Sequence, residues 1–316
     1  MISMPLTRRQ RVTGGLLGSL IGDALGVPVE FISCQKRDAD PVANMRAFGT
    51  HNQPAGTWSD DGALLLCTAE SLLDKPNEEQ AGQLYLRWLR EGYNAVGGRV
   101  FDVGGATRAA LVRIAQGVPA ATAGGIGESD NGNGSLMRIL PVALRFAEES
   151  PDVVISFAMR WSAITHRHPR SQLACACYCL VAQQLMHGAT PGVAYREARV
   201  AFGPVLARFP DERQSFARFL SGELAQLGRD QVKSGGYVID TLEASIWCLL
   251  LGGSFGDMVL RAVNLGDDTD TTGCVTGGLA GVLLGVDAIQ ADWKSALAKD
   301  PPLGDLIERF VCVSGG

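Results

Sequence analysis

With 316 residues, 46% of them hydrophobic and 19% charged, the chain has enough apolar material for a large core, which excludes a disordered protein. A formal net charge of -5, with 28 Lys and Arg scattered rather than gathered in a stripe, speaks against nucleic acid as a partner. The eight cysteines fall mostly inside apolar helical stretches; they form no secreted disulfide framework and read as reduced core thiols.

The chain opens with TRRQRVTGGLLGSLIGDALGV (7–27), arginines followed by an apolar run in the manner of a signal peptide. Asp23 breaks that run where a cleavage site would fall, and no later stretch reaches the roughly 18 uncharged residues that spanning requires, so a soluble cytoplasmic protein is expected. Gly14, Gly18, Gly22 and Gly26 recur every four residues and would line one stripe of a first helix, open to close packing. Apolar residues then recur at helical spacing in ALLLCTAESLL (63–73), SLMRILPVALRF (135–146), SQLACACYCLVAQQLM (171–186) and TLEASIWCLLL (241–251). Alternating strand patterns are scarce, which predicts an all-α fold. Within the third of these stretches, Cys175, Cys177 and Cys179 suit packing better than metal: only the first and third share a helix face, and no histidine stands at ligand spacing. Residues 187–236 are more polar and arginine-rich, and are expected as a peripheral helical excursion. No repeat, low-complexity segment or Ser/Pro linker divides the chain, so a single domain over 1–316 is the simplest organisation.

Two acidic clusters stand out. In GTWSDDGALLL (56–66), Ser59, Asp60 and Asp61 directly precede an apolar helix. In NLGDDTDTTGCVTGGLAG (264–281), three aspartates and three threonines fill residues 267–272 between two helical segments. Adjacent carboxylates repel unless a cation, a proton or hydrogen bonds compensate. Capping a helix start takes one acceptor, and three aspartates exceed that need. Hard oxygen donors with almost no histidine or thiolate match magnesium or manganese. If the two sets converge, four carboxylates and two hydroxyls can hold two ions about 3.5 to 4 Å apart and activate a bridging water. An EF-hand loop beginning at Asp268 fails at its twelfth position, Leu279. The DxDxT pattern of haloacid-dehalogenase phosphatases is matched by 268–272, but a helical segment precedes it where that family has a core strand. GGIGESDNGNG (124–134) does not keep GxGxxG spacing.

Taken together the motifs resemble the ADP-ribosylglycohydrolase family, of the type that includes the dinitrogen-reductase-activating glycohydrolase. The likeness runs from about Gly14 to Leu284 through seven stretches in family order: GGLLGSLIGDALGVPVEF (14–31), GTWSDDGALLL, FDVGGATRAAL (101–111), GNGSLMRILPVAL (132–144), THRHPRSQLACACYCL (165–180), SGGYVIDTLEASIW (234–247) and LGDDTDTTGCVTGGLAG. The resemblance implies one compact all-α domain with a binuclear metal cleft, holding two Mg2+ or Mn2+ ions and removing ADP-ribose from a modified protein side chain. Ser59, Asp60 and Asp61 take the place of the family's hydroxyl-Asp-Asp ligands, and Asp268, Asp270 and Thr271 that of its DxDT ligands, with Asp267 outside the set. Glu30 corresponds to a glutamate near the metals and Asp102 to a carboxylate near the scissile bond, which makes these two the implied catalytic pair. The turn formed by Ser129, Asp130, Asn131, Gly132, Asn133 and Gly134, read as ending at a helix start, would receive a pyrophosphate on backbone N–H groups. His166 matches a histidine near the ligand, Tyr237 an aromatic beside the adenine or distal ribose. Ser59 where threonine is common, and Gly62 where a hydroxyl residue is frequent, depart from the family pattern.

The implied reaction breaks an N- or O-glycosidic bond through an oxocarbenium-like state. ADP-ribosyl-arginine is the leading substrate, with serine, O-acetyl and nucleic-acid-linked ADP-ribose as alternatives. A non-catalytic ADP-ribose-binding module and a metal-dependent phosphohydrolase are the competing classes. An ADP-ribosylated protein as substrate, free ADP-ribose as product, no membrane and a monomeric chain complete the expectation.

Overall fold

The apolar helical periods are realised as helices along the whole chain. In the computed structural model, which describes residues 5–316, the longer ones are α1 (Arg8–Gly26), α2 (Asp60–Ser71), α3 (Glu78–Glu91), α4 (Gly105–Ala115), α5 (Pro151–Ala163) and α6 (Pro169–Met186). They continue with α7 (Pro191–Leu206), α8 (Val238–Leu251), α9 (Phe255–Val263), α10 (Thr269–Leu284) and α11 (Gly304–Val313). Among the described residues there is no β-strand, only isolated bridges between loops.

α1 begins in a capping box, with Thr7 Oγ1 accepting from Gln10 N at 3.2 Å and the Gln10 side chain accepting from Thr7 N at 2.9 Å. From Gly18 onward every residue of α1 is buried. By length and composition this helix is apolar enough to cross a membrane, but 89% of that window lies inside the fold, where the apolar run serves as a central core helix. Its glycine stripe meets a second one on α10. Gly14, Gly18 and Gly22 face Gly281, Gly277 and Gly273 in antiparallel order, and a Cβ on any of the six would overlap the carbonyl oxygen of its opposite number. The two backbones are therefore in direct contact, with no room for a side chain between them. Gly26 extends the contact to Asp270, whose Cα occupies the space a Cβ would need. The end of α1 and the acidic start of α10 are fixed against each other.

A continuous hydrophobic cluster runs from Val12 to Val311 around this pair and includes Trp58, Trp88 and Trp161. The excursion over 187–236 is fastened to the same cluster: Phe219 packs edge to face with Tyr195 and Phe202, Phe216 lies tilted against Phe202, and all four rings are buried. All eight cysteines are free; Cys175, Cys177 and Cys179 lie fully buried in α6 and act as small hydrophobes.

One expected helix is shorter than its apolar period. Residues 134–138 form successive turns, and the helix covers only Leu140–Arg145. Pro141 explains the difference: in a helix begun at residue 135 its ring would strike the carbonyl of Met137 and remove an interior hydrogen bond, whereas at the first turn it is tolerated. The glycine-rich turn at 129–134 therefore does not end at a helix start. Bridges at Gly132–Tyr237, Gly125–His166 and Ile32–Asp267 tie it and the other connecting loops together at one mouth of the helical core.

Candidate active site

The two acidic clusters meet. Ser59 caps α2, its Oγ accepting from Asp61 N at 3.2 Å, which places Asp60 and Asp61 in the first turn. Asp268 occupies the N-cap position of α10 but makes no capping bond; its Oδ2 accepts instead from Asn133 Nδ2 at 2.8 Å. Asp270 Oδ1 accepts from Thr271 N at 2.9 Å. Thr271 Oγ1 lies 3.4 Å from Asp61 Oδ1, joining clusters that stand 210 residues apart in the chain. Beneath them Asp23, fully buried, accepts from Ser59 N at 3.0 Å on both carboxylate oxygens and from Gly62 N at 2.8 Å.

Burial is the main force on these acids. It raises Asp60, Asp61 and Asp270 well above the ordinary carboxylate range, and the neighbouring negative charges raise them further. Asp23 is pushed up to about 7, chiefly by burial and against the pull of its hydrogen bonds from Ser59 and Gly62. Three carboxylate oxygens, Asp61 Oδ2, Asp268 Oδ1 and Asp270 Oδ2, are buried without any hydrogen-bond partner. Helix capping leaves no such orphans. Ligand oxygens of Glu30, Asp268 and Asp270 lie within 4.8 Å of one another, so a compact, all-oxygen, strongly anionic donor set is in place, and it fits hard divalent cations.

Glu30 reaches this centre from a single turn of 3-10 helix, Val27–Val29, that follows α1. The next residue, Phe31, reverses the chain at φ 63, and its N–H donates to Asp267 O at 2.7 Å while Asp267 N donates to Ile32 O at 2.9 Å. Asp267 thus serves through its backbone, and its side chain is exposed. Asp102, at φ 50, lines the same cleft as Glu30. Burial, then the charges of Asp102, Asp268 and Asp60, push Glu30 up to about 10, and burial raises Asp102 as well. The motifs did not point to His51. Its ring bonds the Glu30 carboxylate, and Glu30, His51 and Asp102 offer ligand atoms within 4.8 Å of one another. Nothing in the spacing of GTHNQ marks that histidine; only the fold brings it to Glu30.

The cleft has a volume of about 410 Å³, and its other end is built from Ser129, Gly132, Asn133, Gly134, His166 and Gly236. Asn133 N donates to Gly236 O and Val238 N to Asn131 O, both at 3.0 Å, so the turn is clamped to the start of α8. Asp130 and Asn131, expected at the ligand, do not line the cleft. Asp130 Oδ2 accepts from Gly127 N at 2.8 Å and Asn131 Oδ1 from Ser171 Oγ at 3.1 Å, so both side chains are spent on shaping the turn. Tyr237 is half-buried against the core beside the cleft residue Gly236. His166 is buried and pushed down to about 3 by burial and by the charge of Arg138, which keeps the imidazole neutral. Arg138 donates to Thr165 Oγ1 at 2.8 Å, and that hydroxyl meets His166 Nδ1 at 2.7 Å. A Cβ on Gly134 would lie 3.0 Å from His166 Cε1, so the ring packs directly on the turn. His168 caps α6, its Nδ1 accepting from Arg170 N at 3.2 Å.

The family model described as ADP-ribosylglycohydrolase matches residues 4–314. ADP-ribosylarginine hydrolase Tri1 of Pseudomonas putida (strain GB-1) is 36% identical over 294 residues, covering 91% of this chain and 74% of that protein. The protein of the same name from Serratia proteamaculans (strain 568) is 33% identical over 311 residues, covering 95% and 78%. ADP-ribosyl-[dinitrogen reductase] glycohydrolase of Rhodospirillum rubrum is 28% identical, covering 91% and 90%. A solved chain of an ADP-ribosylglycohydrolase-related protein complex superposes with a TM-score of 0.81 at 32% identity, covering 97% of this chain and 99% of its own.

Proposed function

Since the chain belongs to the ADP-ribosylglycohydrolase family, we propose that it hydrolyses the N-glycosidic bond of ADP-ribosyl-arginine in a modified protein and releases ADP-ribose. It is a hydrolase of ADP-ribose glycosidic bonds. The observation that carries this reading is the meeting of Asp61 and Thr271, with orphaned carboxylate oxygens on both sides of the junction, in a cleft that also presents Glu30 and Asp102. The choice of arginine over serine, O-acetyl or nucleic-acid-linked conjugates is supported by the two relatives named ADP-ribosylarginine hydrolase, at 33% and 36% identity.

The residues that would hold divalent cations are Ser59, Asp60, Asp61, Asp268, Asp270 and Thr271, and two Mg2+ or Mn2+ ions are the proposed complement. Bound there, such cations would orient the ribose 2′ and 3′ hydroxyls and acidify a water. The remaining work falls to the chain. The glycine-rich turn lines the cleft at Gly132 and Gly134, whose N–H groups make no hydrogen bond among the described residues and would suit a pyrophosphate. The neutral ring of His166 backs that turn without bringing a charge to it. Glu30 and Asp102, with carboxyl oxygens within 4.8 Å, disfavour double ionisation and so keep a proton between them. One of the pair can deliver that proton to the departing guanidine nitrogen while the other accepts one from the attacking water. The continuous core from Val12 to Val311 supports a single domain, which we take to act as a monomer.

The test is incubation of the protein with arginine-ADP-ribosylated protein in Mg2+ or Mn2+, then in chelator, beside a variant carrying Asp268→Asn and Asp270→Asn. Release of intact ADP-ribose that chelator stops and the variant lacks is expected. Release that persists in chelator, or AMP as the product, would overturn the proposal.

A further inference from the structure

We propose that His51 is the positioning residue of Glu30, acting on hydrolysis through that side chain; the inference rests on the function proposed above. Residues 48–53 form a tight reversal closed by Phe48 N donating to Gln53 O, with Phe48 and Asn52 at φ 65 and 53. Gly49 presses against Pro28, where a Cβ would overlap the Pro28 carbonyl oxygen, so the reversal lies directly on the turn that leads to Glu30. From there it grips Glu30 at both ends. Thr50 Oγ1 donates to the Glu30 carbonyl at 2.8 Å, and His51 Nε2 bonds the Glu30 carboxylate.

His51 is held in turn. Its ring lies between those of Phe31 and Phe101, at centroid distances of 6.0 and 5.2 Å, and its carbonyl accepts from Gln53 Nε2 at 3.0 Å. Phe31 and Phe101 are the chain neighbours of Glu30 and Asp102, so the imidazole is wedged between the two segments that carry the implied catalytic carboxyls. Without such a hold Glu30 would be free to turn away, since its side chain has three rotatable bonds. A hydrogen bond from a packed ring offsets that freedom. His51 lies outside all seven stretches on which the family resemblance rests.

The test uses His51→Phe, which keeps the ring between its aromatic neighbours and deletes the nitrogen, and His51→Gln, which restores a nitrogen at similar reach. With arginine-ADP-ribosylated protein as substrate, His51→Phe is expected to lower kcat about 10- to 100-fold, the usual cost of losing an orienting partner, with KM changed less than about twofold. His51→Gln should recover much of that loss. In a Glu30→Gln background His51→Phe should cost nothing further. The Kd for Mn2+, followed by titration, should stay at its wild-type value, and the Tm should fall only by the few degrees that one lost hydrogen bond entails. An unchanged kcat in His51→Phe overturns the inference, as does a loss that glutamine fails to rescue. Weakened Mn2+ binding does so too, since His51 would then act on the cations, directly or through Glu30, rather than on the placing of a proton-transfer group. Wild-type protein that leaves the arginine conjugate intact would count against the proposed function, a result that no comparison among the variants can mimic.

Discussion

At the scale of single residues, the site depends on buried acids whose partners are hydrogen-bond donors rather than arginines or lysines. Asp23 illustrates the point. In the sequence it is only the charge that interrupts an apolar run, yet in the fold both its oxygens serve the N–H groups at the start of α2 and thereby set Ser59, Asp60 and Asp61 in place. Asp23→Asn turns one acceptor oxygen into an N–H donor facing other donors. Loss of a hydrogen bond to such a buried group costs on the order of 1.5–3 kcal/mol, so a lower Tm and weaker Mn2+ binding are expected together. Wild-type values of both, by thermal unfolding and Mn2+ titration, would refute that support. Residues of this kind differ in how far the sequence announces them. Asp60, Asp61, Asp268 and Asp270 advertise themselves by clustering, because adjacent carboxylates are costly wherever they fall. Glu30 and Asp102 are single acids, and the resemblance alone brought them forward; His51 has neither clustering nor a motif.

At the scale of elements, the glycine faces of α1 and α10 decide where the acids stand. α10 carries Asp270 in its first turn, and its register against α1 is set by three pairs of glycines in backbone contact. In Gly277→Ala the added methyl would meet the Gly18 carbonyl, and overpacking of this kind costs about 1–3 kcal/mol. The helices must part to admit it, which moves Asp268 and Asp270 away from Asp61. A lower denaturant midpoint together with weaker Mn2+ binding is expected. Gly192→Ala, in the first turn of α7 where a Cβ meets nothing within 4 Å, serves as the control: it should leave Mn2+ binding unchanged and, because alanine favours a helix over glycine, should not lower the midpoint. The four-residue recurrence on α1 announced close packing, but not its partner. For 135–146 the apolar period overstated the helix, because periodicity registers which side chains are apolar and takes no account of the N–H that Pro141 lacks.

At the scale of the whole molecule, the acidic centre makes folding depend on pH and on cations. The folded-state pKa of Asp23 is raised from 3.8 to about 7 and that of Glu30 from 4.5 to about 10. The cation-free folded protein therefore keeps protons that the unfolded chain has released. Stability from these groups then falls as pH rises from about 4 through about 7 and on towards 10, and buried His166, depressed from 6.5 to about 3, opposes that fall only below about 6.5. In chelator the Tm should be lower at pH 8 than at pH 5. Added Mn2+ or Mg2+, which competes with those protons and binds the folded state, should raise the Tm more at pH 8 than at pH 5. Thermal unfolding across that range checks the sign, and a gain larger at pH 5 would contradict it.

The helices, their caps and the oxygen-rich character of the two clusters can be read from the chain because each depends on residues a few positions apart, where backbone geometry alone sets what lies beside what. That Asp61 meets Thr271, that three carboxylate oxygens are left without partners and that a histidine from an unremarkable turn holds Glu30 are outcomes of packing. They follow from many weak contacts summed across the core, and from two glycine-lined helices pressed together, and no local pattern encodes the distance between segments some two hundred residues apart.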